Sequence, residues 1–275
     1  MRLHYFLIIF IFIPTRAFAF VPQYQLNPPT DYDFEGEELH YALYWAIFHV
    51  ANAKTQVKRA TYQNRPVYKF QDSVSTAGLL LIFKRIRDWA QVFWDGERNI
   101  PLFLEEHQEE GHYQKSKTYV FDHEKKQVVY TNQNLKKEEK QIAITPIMAE
   151  MFCDTHSAVY FFRKYGRFQV GETTVFPICT GKRFANVRLK VVAKEKVRTP
   201  FGKIETFKVE PSLELNIKGV FRRQGRVFVW LTTNKSHLPV MVKAKVKIGS
   251  VKAVLVEAKS KYFHWCKRKC NQENF

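Results

Sequence analysis

The chain has 275 residues, 45% of them hydrophobic and 15% aromatic, with a formal charge of +18. That apolar fraction is enough for a substantial core, and the length suits one large β domain or two small ones. The Phe and Tyr content leans towards strands, and the charge calls for anionic neighbours or a role in solubility.

Residues 1–19, MRLHYFLIIFIFIPTRAFA, join Arg2 to an apolar run that ends in Ala17-Phe18-Ala19, the small-x-small pattern cut by a signal peptidase. The run is short for a bilayer span. A signal peptide cleaved near Ala19 is therefore expected, with the mature chain periplasmic or otherwise exported. No Cys follows the run, so a lipid-modified N-terminus is not expected. Export removes nucleotide pools and nucleic acid from consideration and implies an oxidising milieu.

Residues 20–35 carry prolines without periodicity and read as an extended leader. From Glu37 the pattern alternates: Leu39, Tyr41, Leu43, Trp45 and Ile47 occupy one strand face. Further strands follow at 67–76 and 88–95, separated by the stretch 77–84 (AGLLLIFK), whose all-round apolarity predicts a short, buried helical turn. Residues 101–145 read as more strands with solvated turns at 122–126 and 136–140. Met148, Met151, Phe152, Thr155, Val159 and Phe162 recur at helical spacing before Gly166, predicting one long helix over 147–165. Strands resume from 170 to 257, with turns at 199–202 and 233–236. Val242, Ala244, Val246 and Ile248 alternate with Lys243, Lys245 and Lys247. This is a half-buried strand with a lysine face that meets either water or phosphates, and basic neighbours such as Arg188, Lys190, Arg222 and Arg223 would favour phosphates. The expected fold is mainly β: a large curved antiparallel sheet or open β-barrel in one domain over 36–258, followed by a basic Cys-containing tail over 259–275.

Cys153, Cys179, Cys266 and Cys270 are disulfide candidates, and four cysteines permit three pairings. The simplest is Cys153 with Cys179 and Cys266 with Cys270, the latter near the upper limit of disulfide reach on a helix. His264, Cys266 and Cys270 would give three metal ligands, but no fourth is evident, so no metal and no cofactor is expected. Enzyme signatures are scarce: there is no Gly-x-Ser-x-Gly elbow, phosphate-cradling Gly loop or His-Glu-x-x-His. Asp154, His156 and Ser157 resemble a triad in composition only, because adjacent helical residues point about 100° apart. Asp154 or Thr155 reads instead as a cap with local hydrogen bonds, and no catalytic residue is assigned.

Gly36-Glu37-x-Leu39-x-Tyr41, then Asp154-x-x-Ser157-Ala158-x-Tyr160-x-x-Arg163, Gly171-Glu172, Thr199-Pro200-x-Gly202, Trp230-Leu231-Thr232, Leu238-Pro239-Val240 and Ile248-Gly249-Ser250-Val251 with Leu255 form an ordered set. In order and spacing this set resembles the exported bacterial proteins of domain-of-unknown-function family 3108, from about Gly36 to Val256. Thr233-Asn234 departs from the pattern where an acid often follows. The resemblance implies an envelope protein with a mostly antiparallel β fold and no assigned activity. The architecture is also analogous to the open half-barrels of lipoprotein-localisation carriers.

These readings lead to a binding module that holds a lipid, acyl chain or lipoprotein within the curved sheet, lined by Leu80, Phe83, Trp45, Phe152, Tyr160, Arg163 and Trp230. Arg163 is expected to pair with an acid or cap a strand, and Trp230 to pack in the core. The alternatives are a structural or assembly protein that contacts anionic envelope polymers through a basic surface, with peripheral membrane contact, and an envelope glycan or lipid hydrolase.

Overall fold

The computed structural model describes residues 20–78, 81, 85–111, 113–137, 139–214, 226–246 and 249–266. The strands follow one another as hairpins. The first eight are β1 (Glu38–Trp45), β2 (Phe48–Tyr62), β3 (Arg65–Thr76), β4 (Arg87–Asp95), β5 (Ile100–Glu110), β6 (Tyr113–Asp122), β7 (Gln127–Asn134) and β8 (Lys140–Pro146). A helix, α1 (Ala158–Tyr165), interrupts them. The chain continues through β9 (Thr173–Cys179), β10 (Phe184–Thr199), β11 (Gly202–Glu214), β12 (Val227–Thr232), β13 (Pro239–Lys245), β14 (Ser250–Ser260) and β15 (Phe263–Cys266).

All of these strands join one antiparallel sheet in the order β8-β7-β6-β5-β4-β3-β2-β1-β14-β13-β12-β11-β10-β9, with β15 on β14. Two meanders are thus stitched together at β1 and β14, where Leu39 faces Ala258 and Trp45 faces Val251. The sheet curls until its two ends meet. Thr145 on β8 donates its hydroxyl to the Gly181 carbonyl in the β9–β10 turn at 2.9 Å. Gly181 has φ +84, and a Cβ there would lie 2.5 Å from the Tyr119 ring, so only glycine fits this junction. The exposed edge of β9 is covered by the leader, through Gln25 with Val175, and by Cys153, which bridges Ile178 in parallel.

The long predicted helix is corrected to a short one. Residues 147–154 are not helical: the Cys153 N–H donates to Pro177 O, and the Cys179 N–H to Cys153 O. Asp154 then turns the chain, its Oδ1 accepting the backbone N–H groups of His156 and Ser157. Of the residues read as helical, Phe152 and Phe162 fill the core, whereas Met148 and Val159 are exposed. α1 lies inside the barrel, so Tyr160, Phe161, Phe162 and Arg163 are all buried although they point in different directions. Tyr160 stacks on Phe70 at 4.2 Å, Phe161 meets Phe176 at 4.5 Å, and Phe152 meets Phe184 at 5.0 Å. Gly166 ends the helix where a Cβ would collide with the Phe162 carbonyl and the Phe168 ring. The predicted helical turn at 77–84 falls largely outside the described residues, as do Leu80 and Phe83. The one residue described in its middle, Leu81, is exposed rather than buried.

Candidate functional site

The barrel interior has a charged belt beneath α1. Arg163 forms a bidentate pair with Glu37, both bonds at 2.6 Å, and donates Nε to the Ser236 carbonyl at 2.9 Å. Both side chains are buried, and the carboxylate raises the guanidinium's already high pKa despite burial. Arg163 therefore pairs with an acid, as expected, and ties α1 to the start of β1 and to the β12–β13 turn.

His156 is held between two strands. Its Nδ1 lies 2.7 Å from Asp72 of β3 and its Nε2 3.3 Å from Glu106 of β5. Burial pulls the imidazole towards neutrality, but the hydrogen bonds and charges of the two carboxylates outweigh it and raise the pKa to about 10. Glu106 feels burial in the opposite sense, yet His156 and Lys117, the latter at 2.9 Å, lower it to about 2. The ring is thus a fixed cation with both nitrogens engaged, and not a base free to take a proton near neutrality. Ser157 directs its hydroxyl to Asp154 Oδ2 at 2.5 Å, so Asp154, His156 and Ser157 do not form a triad.

Below this belt the inner face changes character. At the packed end, the neighbouring residues Phe70, Val92 and Leu104 are wholly buried. At the other end, the row Val229–Val242–Ala253–Leu43 runs across β12, β13, β14 and β1, and its first three members are only half-buried. Next to it runs Val227–Ala244–Val251–Trp45, with Val227 and Trp45 also half-buried. The sheet order places β5–β7 across the barrel from these strands. There the inner rows are polar: Glu106–Lys117–Asn132 and Gln108–Lys115–Asn134. Among the described residues, Asn132 Oδ1 is buried without a hydrogen-bond partner. One end of the barrel is therefore packed, and the other has an apolar wall facing a polar one.

Of the residues expected to line a site, Trp45 stands at the rim of this open end. Phe152, Tyr160 and Arg163 belong to the packed end and its charged belt. Trp230 is buried on the outer side of β12, where its indole N–H donates to Glu195 at 2.7 Å. Sequence reasoning missed Val229, Val242 and Ala253, although the valine–lysine alternation of β13 was their signal. Cys153, Cys179 and Cys266 are free thiols, and Cys270 lies outside the described residues. Cys153 is opposite Ile178, and alternation turns the neighbouring Cys179 side chain to the other face of the strand. That turns the two thiols away from each other. Among the described residues no set of three His, Cys, Asp or Glu is arranged to hold a metal, and no helix is long and apolar enough to cross a membrane. A separate open groove of about 610 Å³ lies between the β10–β11 hairpin and β15, lined by residues that include Phe201, Lys203, Glu205 and Trp265.

No curated protein shows significant similarity to the chain. Solved structures to which the chain is similar include two crystal structures. A beta-barrel-like protein of domain of unknown function DUF1849 from Brucella abortus shares 9% identity, with 86% of this chain and 99% of that one covered, at a TM-score of 0.49. A protein from Parabacteroides distasonis described as "a putative lipoprotein" shares 10% identity, with 85% and 100% covered, at a TM-score of 0.33. The family model described as "protein of unknown function (DUF3108)" matches residues 40–256, from within β1 to within β14, and the chain belongs to that family.

Proposed function

We propose that the mature protein is an exported envelope protein that holds an amphipathic, acyl-bearing ligand, a lipid or a lipidated chain, in the open end of its barrel. The N-terminal residues, which lie outside the described ones, support export by their pattern alone. The observation that carries the binding reading is the half-buried valine wall of β12–β14 facing the polar wall of β5–β7. Apolar side chains on an inner face are stabilised when something covers them. A ligand with a hydrocarbon side and a polar side suits both walls, and Asn132 Oδ1 supplies an acceptor still in need of a donor. The Arg163–Glu37 pair and the His156 belt fix the floor of the site. The reading assigns the protein no bond chemistry, since the His156 ring is already saturated.

The test uses the mature protein, stripped of lipid and titrated with a fluorescent fatty acid, together with native mass spectrometry of the unstripped protein. Saturable uptake is expected, and Val229→Glu and Val242→Glu should each weaken it more than tenfold. No uptake by the wild type, or unchanged uptake by both variants, would overturn the reading.

A further inference from the structure

We infer that the rim of the open end is a membrane-docking surface whose partner is the face of an anionic phospholipid bilayer. This rests on the binding reading only in that the docked rim would give the ligand a route to and from the membrane.

Two independent features meet at this rim. The first is an apolar tip. The β1–β2 turn passes through Ala46, with φ +53, and pushes out Ile47 and Phe48, which are 83% and 52% exposed. The β3–β4 connection lies beside it, since the Ala77 N–H donates to Val50 O at 2.9 Å, and adds Leu81 at 53% exposure. Tyr44 and Trp45, with apolar bodies and polar ends, form the base of the tip.

The second feature is cationic. On the outer face Lys243 of β13 stands directly opposite Lys252 of β14, and Lys252 opposite Tyr44, over whose ring its ammonium lies at 5.7 Å. Lys245 is exposed two residues further along, and its N–H donates to Arg226 O at 3.0 Å. Like charges directly across a strand pair destabilise a sheet. Among the described residues no carboxylate pairs with Lys243, Lys245 or Lys252, whereas nearby Lys194, Lys208 and Arg226 each have one. An anionic surface would relieve that repulsion. An anionic polymer would meet the lysines equally well, but it offers nothing to Ile47, Phe48 and Leu81. A bilayer satisfies both, with phosphates for the lysines and an acyl boundary for the tip.

The experiment is flotation of the mature protein with vesicles of phosphatidylethanolamine and phosphatidylglycerol, compared with vesicles of phosphatidylcholine. Wild type should float with the anionic vesicles and remain behind with the neutral ones. Ile47→Ser/Phe48→Ser should weaken partition by more than tenfold, because two large apolar side chains lose their burial. Lys243→Glu/Lys245→Glu should weaken it by more than tenfold and flatten its salt dependence. That variant also replaces a Lys–Lys pair by Glu–Lys, so loss of folding does not confound it, and thermal melts check the tip variant. Equal flotation with neutral vesicles, a tip variant that floats like wild type, or preferential binding to a soluble anionic polysaccharide that ignores the tip would each overturn the inference. Fatty-acid uptake without vesicles should survive in both variants. Its failure in the wild type would sink the binding reading and leave docking standing.

Discussion

The two ends of this barrel are built from the same strands yet obey different rules. Around α1 the inner face is aromatic and closed, and its few charges are paired. At the rim the inner face is half-covered, with valines opposite amides, Glu106 and two lysines. The contrast teaches that a single sheet can spend its hydrophobic residues unevenly, concentrating Phe and Tyr where rigidity is set and leaving smaller side chains where space is kept.

The largest effect should come from the charged belt of the closed end. Arg163→Met leaves Glu37 buried and unpaired and is expected to lower stability by about 3–5 kcal/mol in urea denaturation. Glu37→Met added to it should recover much of that loss. If Arg163→Met is nearly neutral, the belt is wetter than the structure shows.

A matched pair sharpens the comparison. Val92→Ala, at a fully buried position, is expected to cost about 2 kcal/mol from lost transfer and a new cavity. Val242→Ala removes the same atoms at the open end and should cost less than about 1 kcal/mol. Equal costs would mean that the two ends are equally packed.

A pH profile probes the belt more gently. His156 gains affinity for its proton on folding, with a pKa of about 10 against an ordinary 6.5. Its contribution is complete below about pH 6.5 and fades as pH rises from there towards 10. Glu106, lowered to about 2, contributes fully above its ordinary range and loses that contribution on acidification towards pH 2. The alkaline decline in melting temperature should therefore be steeper in wild type than in His156→Gln. Parallel declines would show that the imidazole is not held as a cation. The smallest effect is on the outer wall: Trp230→Phe gives up the bond to Glu195 and should cost about 1 kcal/mol by the same denaturation assay.

Much of the strand framework was legible because alternation survives wherever one face is buried, as in Leu39, Tyr41 and Leu43 or in Val242 and Ala244. Turn chemistry at 199–202 and 233–236 marked hairpins correctly. The 147–157 segment misled because apolar residues at helical spacing also suit an irregular segment, and only the backbone bonds of Cys153 to β9 decide between them. Asp154 as a local cap was readable from its neighbours. The ion pairs were not: Glu37 and Arg163 are 126 positions apart, and His156 is 84 from Asp72 and 50 from Glu106. A periodic pattern says which way a side chain faces, never what it meets there.

The seam between β1 and β14 has a consequence for biosynthesis. Every other hairpin can zip with the segment made just before it, but Glu38 must wait for Lys259. Until β14 has been made, the first strand keeps a bare flank ready to pair with a stranger. A message cut short ahead of that point should yield a sticky polypeptide that clumps, even though nearly all of its hairpins are present.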